Sequence, residues 1–206
     1  VSANYNNSAW FYDKLSALVY GKALVNAQVY LLDYITPRCR ILIVGGGTGW
    51  ILDEITRRQP AGLSITYIEI SAKMMIRSKK RNIGANEVIF INSPVEEVNL
   101  PTDFDVVMSP FLFDNFNEAT MHKVFTVMHH SLKKGGLWLN TDFRLTGKWW
   151  QWLLLKSMLL FFKLLCGIES TRLPDIEQCF RKYHYQLLAE KPFYGHFILS
   201  EIHQKV

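Results

Sequence analysis

Residues 41–55 read ILIVGGGTGWILDEI. Four apolar residues, Ile41 to Val44, run directly into Gly45-Gly46-Gly47-Thr48-Gly49, and an apolar-periodic helix opens near Trp50. A strand buried on both faces carries such an uninterrupted apolar run. Glycines at 45, 47 and 49 let the backbone bend sharply and let a ligand lie against bare N–H groups at a helix N-terminus. The unit predicts a nucleotide-type site.

The rest of the chain repeats the strand–helix theme. Residues 8–34 carry apolar positions at helical spacing, with a break near Gly21 and a stop at Pro37. Ser64–Ile70 reads as a second strand, Ser71–Arg81 as a helix, Val88–Asn92 as a third strand and Asp105–Ser109 as a fourth. Glu118–Leu132 is a helix that Gly135-Gly136 is expected to stop, and Leu137–Thr141 is a fifth strand. Five strand–helix alternations argue for an open parallel sheet with right-handed crossovers. Pro174–Tyr183 is helical, and Tyr185–Lys191 and His196–His203 flank a Pro-Phe-Tyr-Gly turn, so these last two strands pair as an antiparallel hairpin. Without repeats or linkers, 1–206 is expected to be a single α/β domain, with 1–36 as a helical cap and 146–172 as an apolar insertion.

Net charge is +5, from 23 basic and 18 acidic residues. The cations are scattered apart from Lys79-Lys80-Arg81, which reads as a solvated helix face, so no nucleic-acid-binding stripe is expected. Cys39, Cys166 and Cys179 are odd in number and lack metal or CxxC spacing; no metal site and a cytoplasmic, reducing environment are expected. The polar start VSANYNNS carries no secretory signal pattern.

Spacing discriminates between nucleotides. A dinucleotide fingerprint wants a third glycine where this chain has Trp50, because that position packs helix against strand. A nicotinamide-dependent oxidoreductase is therefore disfavoured. Glu69, at the tip of the second strand beside the glycine bend, is placed to accept hydrogen bonds from a ribose diol.

With VGGGTG, YIEIS, FINSPVEEV, FDVVMSPFLFDNF, HHSLKKGGLWLNTDF and the terminal hairpin, nearly the whole chain resembles the class I S-adenosylmethionine-dependent methyltransferases. It is most similar to the small-molecule branch that includes the ubiquinone and menaquinone biosynthesis enzymes, whose first helix also carries a Tyr-Asp pair, here Tyr12-Asp13. The resemblance implies a Rossmann-like three-layer αβα sandwich with seven strands in the order 3-2-1-4-5-7-6, the last antiparallel. It implies S-adenosyl-L-methionine as donor and S-adenosyl-L-homocysteine as product. Gly45, Gly46, Gly47 and Gly49 would line the methionine part and Glu69 would hold the ribose. Ile70 and Met74 would pack on adenine, Asn92, Ser93, Pro94 and Val95 would border its edge, and Ser109 to Phe111 would lie beneath the sulfonium. Two positions depart from the family pattern: Ile43 stands where an acid is usual, and Ser93-Pro94 where an Asp often binds the adenine amino group. The second leaves adenine to backbone groups.

Methyl transfer from a sulfonium is an in-line displacement on an activated carbon, so positioning carries most of the catalysis and supplies ~7–11 kcal/mol. Aromatic faces add ~0.5–2 kcal/mol by cation–π attraction, and Tyr5, Trp10, Tyr12 and Phe111 are the candidates. Asp114 follows the fourth strand, Asp142 the fifth, and Tyr194 and His196 sit in the hairpin turn. The fold brings all four to the ligand-bearing edge, as candidates for base or acceptor-orienting group. His122, His129 and His130 read as solvent or packing residues on the crossover helix. Ser109-Pro110-Phe111-Leu112 is not the Asn-Pro-Pro-Tyr type that grips amides and exocyclic amines, which counts against DNA or protein-amide methylation.

KWWQWLLLKSMLLFFKLLCG, residues 148–167, is long enough to cross a bilayer. Lys156 and Lys163 would each cost ~2.5–3.5 kcal/mol near its centre, and with Lys148 they share about a quarter of the helical wheel. A lid over an apolar or aromatic small-molecule acceptor is expected, with peripheral contact to a membrane surface as an open possibility. Packing on the domain core or in a dimer interface is the plain alternative, and both monomer and homodimer remain open. The rival function is a non-catalytic cofactor-binding or membrane-associating protein of the same fold.

Overall fold

The computed structural model describes residues 20–166 and 172–206. The expected helix over 8–19 and the residues Tyr5, Trp10, Tyr12 and Asp13 lie outside them. Gly21, at φ +57°, separates Tyr20 from helix α1 (Ala23–Leu31). Then follow β1 (Arg40–Val44), α2 (Trp50–Arg58), β2 (Ala61–Ile68), α3 (Ala72–Ser78), β3 (Ala85–Ile91), β4 (Phe104–Pro110), α4 (Glu118–Ser131) and β5 (Leu132–Phe143). Helix α5 (Trp149–Cys166), helix α6 (Ile176–Lys182), β6 (Tyr185–Phe193) and β7 (Ile198–Lys205) complete the order.

One seven-stranded sheet runs β3-β2-β1-β4-β5-β7-β6. Strands β1 to β5 pair in parallel, and β7 lies antiparallel between β5 and β6. This is the Rossmann-like order that the sequence implies. Side-chain alternation divides the central strands between two cores. Ile41 and Ile43 of β1, with Val106 and Met108 of β4, pack with Leu31 and with Ile51, Leu52 and Ile55 of α2. Leu42, Val44 and Val107 face the other way, onto Val124, Phe125 and Met128 of α4 and Phe180 of α6. A third cluster joins Leu155 and Leu159 of α5 to Tyr20, Ala27, Phe197 and Ile198. Ile198 pairs with both Phe143 and Phe193, at the carboxyl end of the parallel strands, so α5 roofs that edge.

The fifth strand departs from expectation. It leaves α4 directly at Leu132, whose extended φ and ψ end the helix, and Gly135-Gly136 lie inside it. Between Phe104↔Leu132 and Val106↔Leu137 the register shifts, so 133–136 form an irregularity. Gly135 takes φ +75° there, and a Cβ on Gly136 would lie 2.9 Å from the Lys133 carbonyl oxygen. The glycines accommodate a bulge instead of stopping a helix. Strand β2 also ends earlier than expected, at Ile68, which puts Glu69 and Ile70 in the following loop. Helix α3 is shorter than expected, starting where the Ser71 side chain accepts from the Met74 amide and ending at Ser78.

Candidate active site

The bend after β1 is held from several sides. The Gly45 amide donates to the Ile68 carbonyl at 2.9 Å, continuing the ladder to β2. Gly47 (φ +63°) and Gly49 (φ +77°) lie in the left-handed region, which glycine enters without a Cβ clash. Each glycine answers a different neighbour. A Cβ on Gly46 would sit 2.4 Å from the Tyr67 ring, and one on Gly49 would sit 2.7 Å from the Ser78 backbone. One on Gly47 would meet only the Met74 sulfur, at 3.9 Å. Close packing therefore explains Gly46 and Gly49, and Gly47 borders the open side of the bend.

Glu69 is buried, at 5% exposure, and both carboxylate oxygens are engaged. One accepts from the Gly47 amide at 3.0 Å and the other from the Ser71 amide at 2.8 Å. Burial pushes its pKa up, and these amides, with Ile70's, oppose the shift. The side chain thus braces the glycine bend, and its remaining lone pairs are what it has for a ligand. Exposed Asn92 donates its amide to the Glu69 and Ile70 carbonyls at 2.7 and 3.0 Å, fixing the same loop from β3. Beside it Ile70 is exposed, Met74 buried, and Ser93 and Pro94 half-buried. Val95 is buried in the second core. Ile43 is fully buried in the first core, so the departure noted there leaves an apolar side chain packed beneath the bend.

Two residues that spacing does not single out hold the bend as well. Tyr67 is fully buried and its hydroxyl donates to the Gly47 carbonyl at 3.0 Å. A tyrosine within an aliphatic strand needs a partner for its hydroxyl, and that was its only signal. Arg81 donates from Nε to the Thr48 carbonyl at 2.9 Å and from Nη1 to Asp53 at 3.1 Å. The Lys79-Lys80-Arg81 run is thus not merely a solvated face; Arg81, three residues past the end of α3, ties the chain there to the bend and to α2.

The opposite wall follows β4. Phe111 holds φ +50°, unusual for a side chain with a Cβ. Its amide donates to the Thr141 carbonyl at 2.8 Å, and Asn115 donates to its carbonyl at 3.0 Å. Ser109 turns away from this edge. Its hydroxyl donates to Asn140 and accepts from the Trp138 indole, both at 2.8 Å, with no solvent exposure. Strand alternation sends this side chain to the side of Val107, under α4 and α6, which leaves the Ser109 backbone at the edge where Ser109 to Phe111 are expected to lie beneath the sulfonium.

Asp114 and Asp142 are brought together, both buried. Asp142 accepts from the amides of Phe143 (2.8 Å), Phe113 (3.0 Å) and Asp114 (3.3 Å), whereas Asp114 accepts from the Asn115 side chain at 2.7 Å. Burial raises both pKa values, and for Asp114 the charge of Asp142 adds to the rise. Three amide donors favour the charged form of Asp142, so the first proton on the pair belongs to Asp114. Tyr20 borders them. Burial lifts its hydroxyl far above the ordinary tyrosine range, with Asp114 and Tyr194 contributing.

The hairpin turn carries positive φ at Tyr194, Gly195 and His196. Lys148, just before α5, and Gln151, in its first turn, donate to the Gly195 carbonyl at 3.1 and 3.2 Å, and the Trp150 ring lies 5.9 Å from Tyr194. Tyr194 in turn lies 5.5 Å from Tyr20, edge to face. Asp114, Asp142, Tyr20 and Tyr194 therefore share one edge beneath α5, while His196 is exposed on the turn. Among the other histidines, exposed His122 has its Nδ1 3.2 Å from the Cys179 sulfur and half-buried His129 its Nδ1 3.0 Å from the Tyr185 hydroxyl, while His130 and His184 are exposed.

Residues 41–136 match the family model described as a methyltransferase domain. A malonyl-[acyl-carrier protein] O-methyltransferase of Priestia megaterium is 24% identical over 139 residues, 68% of this chain and 49% of that protein; the chain spans about half the length of this relative. Among solved structures, a chain of a Haloferax volcanii complex between the Trm112 methyltransferase activator and a methyltransferase superposes with a TM-score of 0.73 at 12% identity, covering 100% of this chain and 99% of that one. The Burkholderia thailandensis 1,6-didemethyltoxoflavin-N1-methyltransferase, with bound 1,6-didemethyltoxoflavin and S-adenosylhomocysteine, gives 0.66 at 13% identity over 95% and 84%.

Proposed function

We propose that this chain is a class I S-adenosylmethionine-dependent methyltransferase, a reading supported by its sheet order and by the methyltransferase-domain match over 41–136, and that it moves the methyl group of S-adenosyl-L-methionine to a small apolar or aromatic acceptor held under α5. The carrying observation is the bend at 45–49, braced by Glu69 and open at Gly47, at the same sheet edge as the Phe111 and Asp114 wall. The toxoflavin-type neighbour, crystallised with S-adenosylhomocysteine, supports the choice of donor.

In this reading Gly45 to Gly49 line the methionine end and Glu69 offers its free lone pairs to the ribose hydroxyls. Ile70 and Met74 flank adenine, with backbone of Ser93 and Pro94 at its edge. The backbone at Pro110-Phe111 borders the sulfonium. The chain's own residues then do three things. Phe111, Phe143 and Trp150 present aromatic surface toward an apolar acceptor and exclude water. The ionised member of the Asp114–Asp142 pair places fixed negative charge near a cationic donor. Asp114, when unprotonated, takes the proton that a hydroxyl or amine acceptor loses, with Tyr20 and Tyr194 orienting that acceptor.

Isothermal calorimetry of the purified chain tests the first step. Binding of S-adenosyl-L-methionine and S-adenosyl-L-homocysteine is expected, with loss in a Gly47→Val variant. No heat from either at millimolar concentration would reject the proposal.

A further inference from the structure

Helix α5 has two unlike faces. Inward, Trp150, Leu155 and Leu159 pack with Tyr20, Phe197 and Ile198 above the acceptor wall. Outward, Trp149 is 77% exposed, and Trp152, Leu153 and Leu160 are each more than half exposed. At 100° per residue these four positions fall within about 100° of the wheel, and exposed Lys156 and Lys163 fall in the same arc. Apolar area of this kind on one helix face marks an interaction surface.

The charge pattern selects the occupant. No acidic residue stands between Asp142 and Glu169, while Lys148, Lys156 and Lys163 do. Two copies meeting about a two-fold axis would press the same patch on itself, setting lysine against lysine across an apolar contact with no carboxylate to compensate. A bilayer bearing anionic headgroups meets both demands. Tryptophans settle at the headgroup level, leucines enter the acyl boundary, and lysines extend their ammonium groups to phosphate. Lys156 already lies 5.8 Å from the Trp152 ring centre, so the cation and the interfacial ring reach the same depth. Among the described residues no helix is long and apolar enough to cross a membrane, which leaves the helix lying on the surface.

We infer that the outer face of α5 docks on anionic membrane surfaces. The pocket roof is then the membrane-facing element. If the methyltransferase reading holds, on which this clause rests, the acceptor is an amphiphile that reaches the site from the bilayer.

Sedimentation of the chain with phosphatidylcholine vesicles, with and without phosphatidylglycerol, tests the docking. Strong association is expected only with the anionic vesicles, weakening with added salt. Each lysine contributes about fivefold in affinity near such a surface, so a Lys156→Glu/Lys163→Glu variant should lose well over tenfold. Trp149→Ser/Trp152→Ser should also release the protein while leaving its melting temperature unchanged, because both rings are exposed. Equal sedimentation with and without phosphatidylglycerol, no sedimentation at all, or a concentration-dependent dimer abolished by the tryptophan variant would overturn the inference. S-adenosyl-L-homocysteine titrations on the same samples keep the two readings apart, since vesicle binding without cofactor binding would sink only the enzymatic one.

Discussion

The Tyr67 hydroxyl donates to the Gly47 carbonyl oxygen at 3.0 Å, from a ring that fills the space where a Gly46 side chain would stand. The glycine bend is thus shaped from below by one aromatic side chain of the neighbouring strand. Tyr67→Phe keeps the packing and removes the hydrogen bond. It should cost about 0.5–1.5 kcal/mol in stability and weaken S-adenosyl-L-homocysteine binding by loosening the loop. Gly46→Ala puts a methyl group against a ring that cannot swing aside in a full core, and about 1–3 kcal/mol of overpacking cost is expected. Thermal denaturation and calorimetry on both variants check this; a Gly46→Ala protein as stable as the parent would remove Tyr67 from this role.

Glu69 gives the complementary case, because it meets the bend through its carboxylate. Glu69→Gln cannot accept from both the Gly47 and Ser71 amides, since one of its two terminal atoms is itself a donor. An unsatisfied buried amide costs about 1–3 kcal/mol, and the ribose loses a charged acceptor. A drop of about tenfold or more in cofactor affinity, at the scale of a hydrogen bond to a charged group, is expected by calorimetry.

What the sequence makes legible here follows from period and steric need. The unbroken run Ile41 to Val44 states that both strand faces are covered, and both cores bear it out. The sheet order, including antiparallel β7, follows the resemblance. The misreadings have local causes. Gly135-Gly136 look like a helix stop, yet they relieve a crowded bulge, because sequence does not distinguish the two uses of glycine. Motif position alone does not state that the Ser109 side chain, sharing parity with Val107, turns into the core and leaves its backbone at the edge. Spacing does not single out Arg81 and Tyr20 for the site, because what gives them a role is proximity across 33 residues in one case and, in the other, the contact of Tyr20 with Met158 and its nearness to Asp114.

His129 provides an acid-side probe of the fold. Burial, followed by the charges of Lys205 and His130, lowers its pKa from 6.5 to about 4. The folded state therefore binds fewer protons than the unfolded chain between those values. Stability from this site is complete above pH 6.5 and drains away as pH falls toward 4. His129→Gln should flatten the pH dependence of the melting temperature in that window. NMR titration of the parent checks the cause directly, and an imidazole titrating near 6.5 would contradict the packing of His129 against Tyr185.

Asp114 and Asp142 separate base from scaffold, because their neighbours differ. The Asp114 pKa stands well above 3.8, so the folded state holds a proton that the unfolded chain releases. That stability is fully present below pH 3.8 and is lost as pH rises through the folded value. Asp114→Asn keeps a neutral side chain at every pH. It should be as stable as the parent or more so at alkaline pH, bind S-adenosyl-L-homocysteine normally, and lose about 10²–10⁴-fold in kcat if Asp114 removes the acceptor's proton. Asp142→Asn behaves differently: it turns an amide donor toward at least one of the backbone N–H groups of Phe113, Asp114 and Phe143. It should lower stability at all pH values by about 1–3 kcal/mol for each N–H left unpaired. Melting curves across pH, paired with turnover once an acceptor is in hand, distinguish the two. Equal destabilisation by both substitutions would show that Asp114 is scaffold as well, and the proton would then have to leave through Tyr194 or directly to solvent.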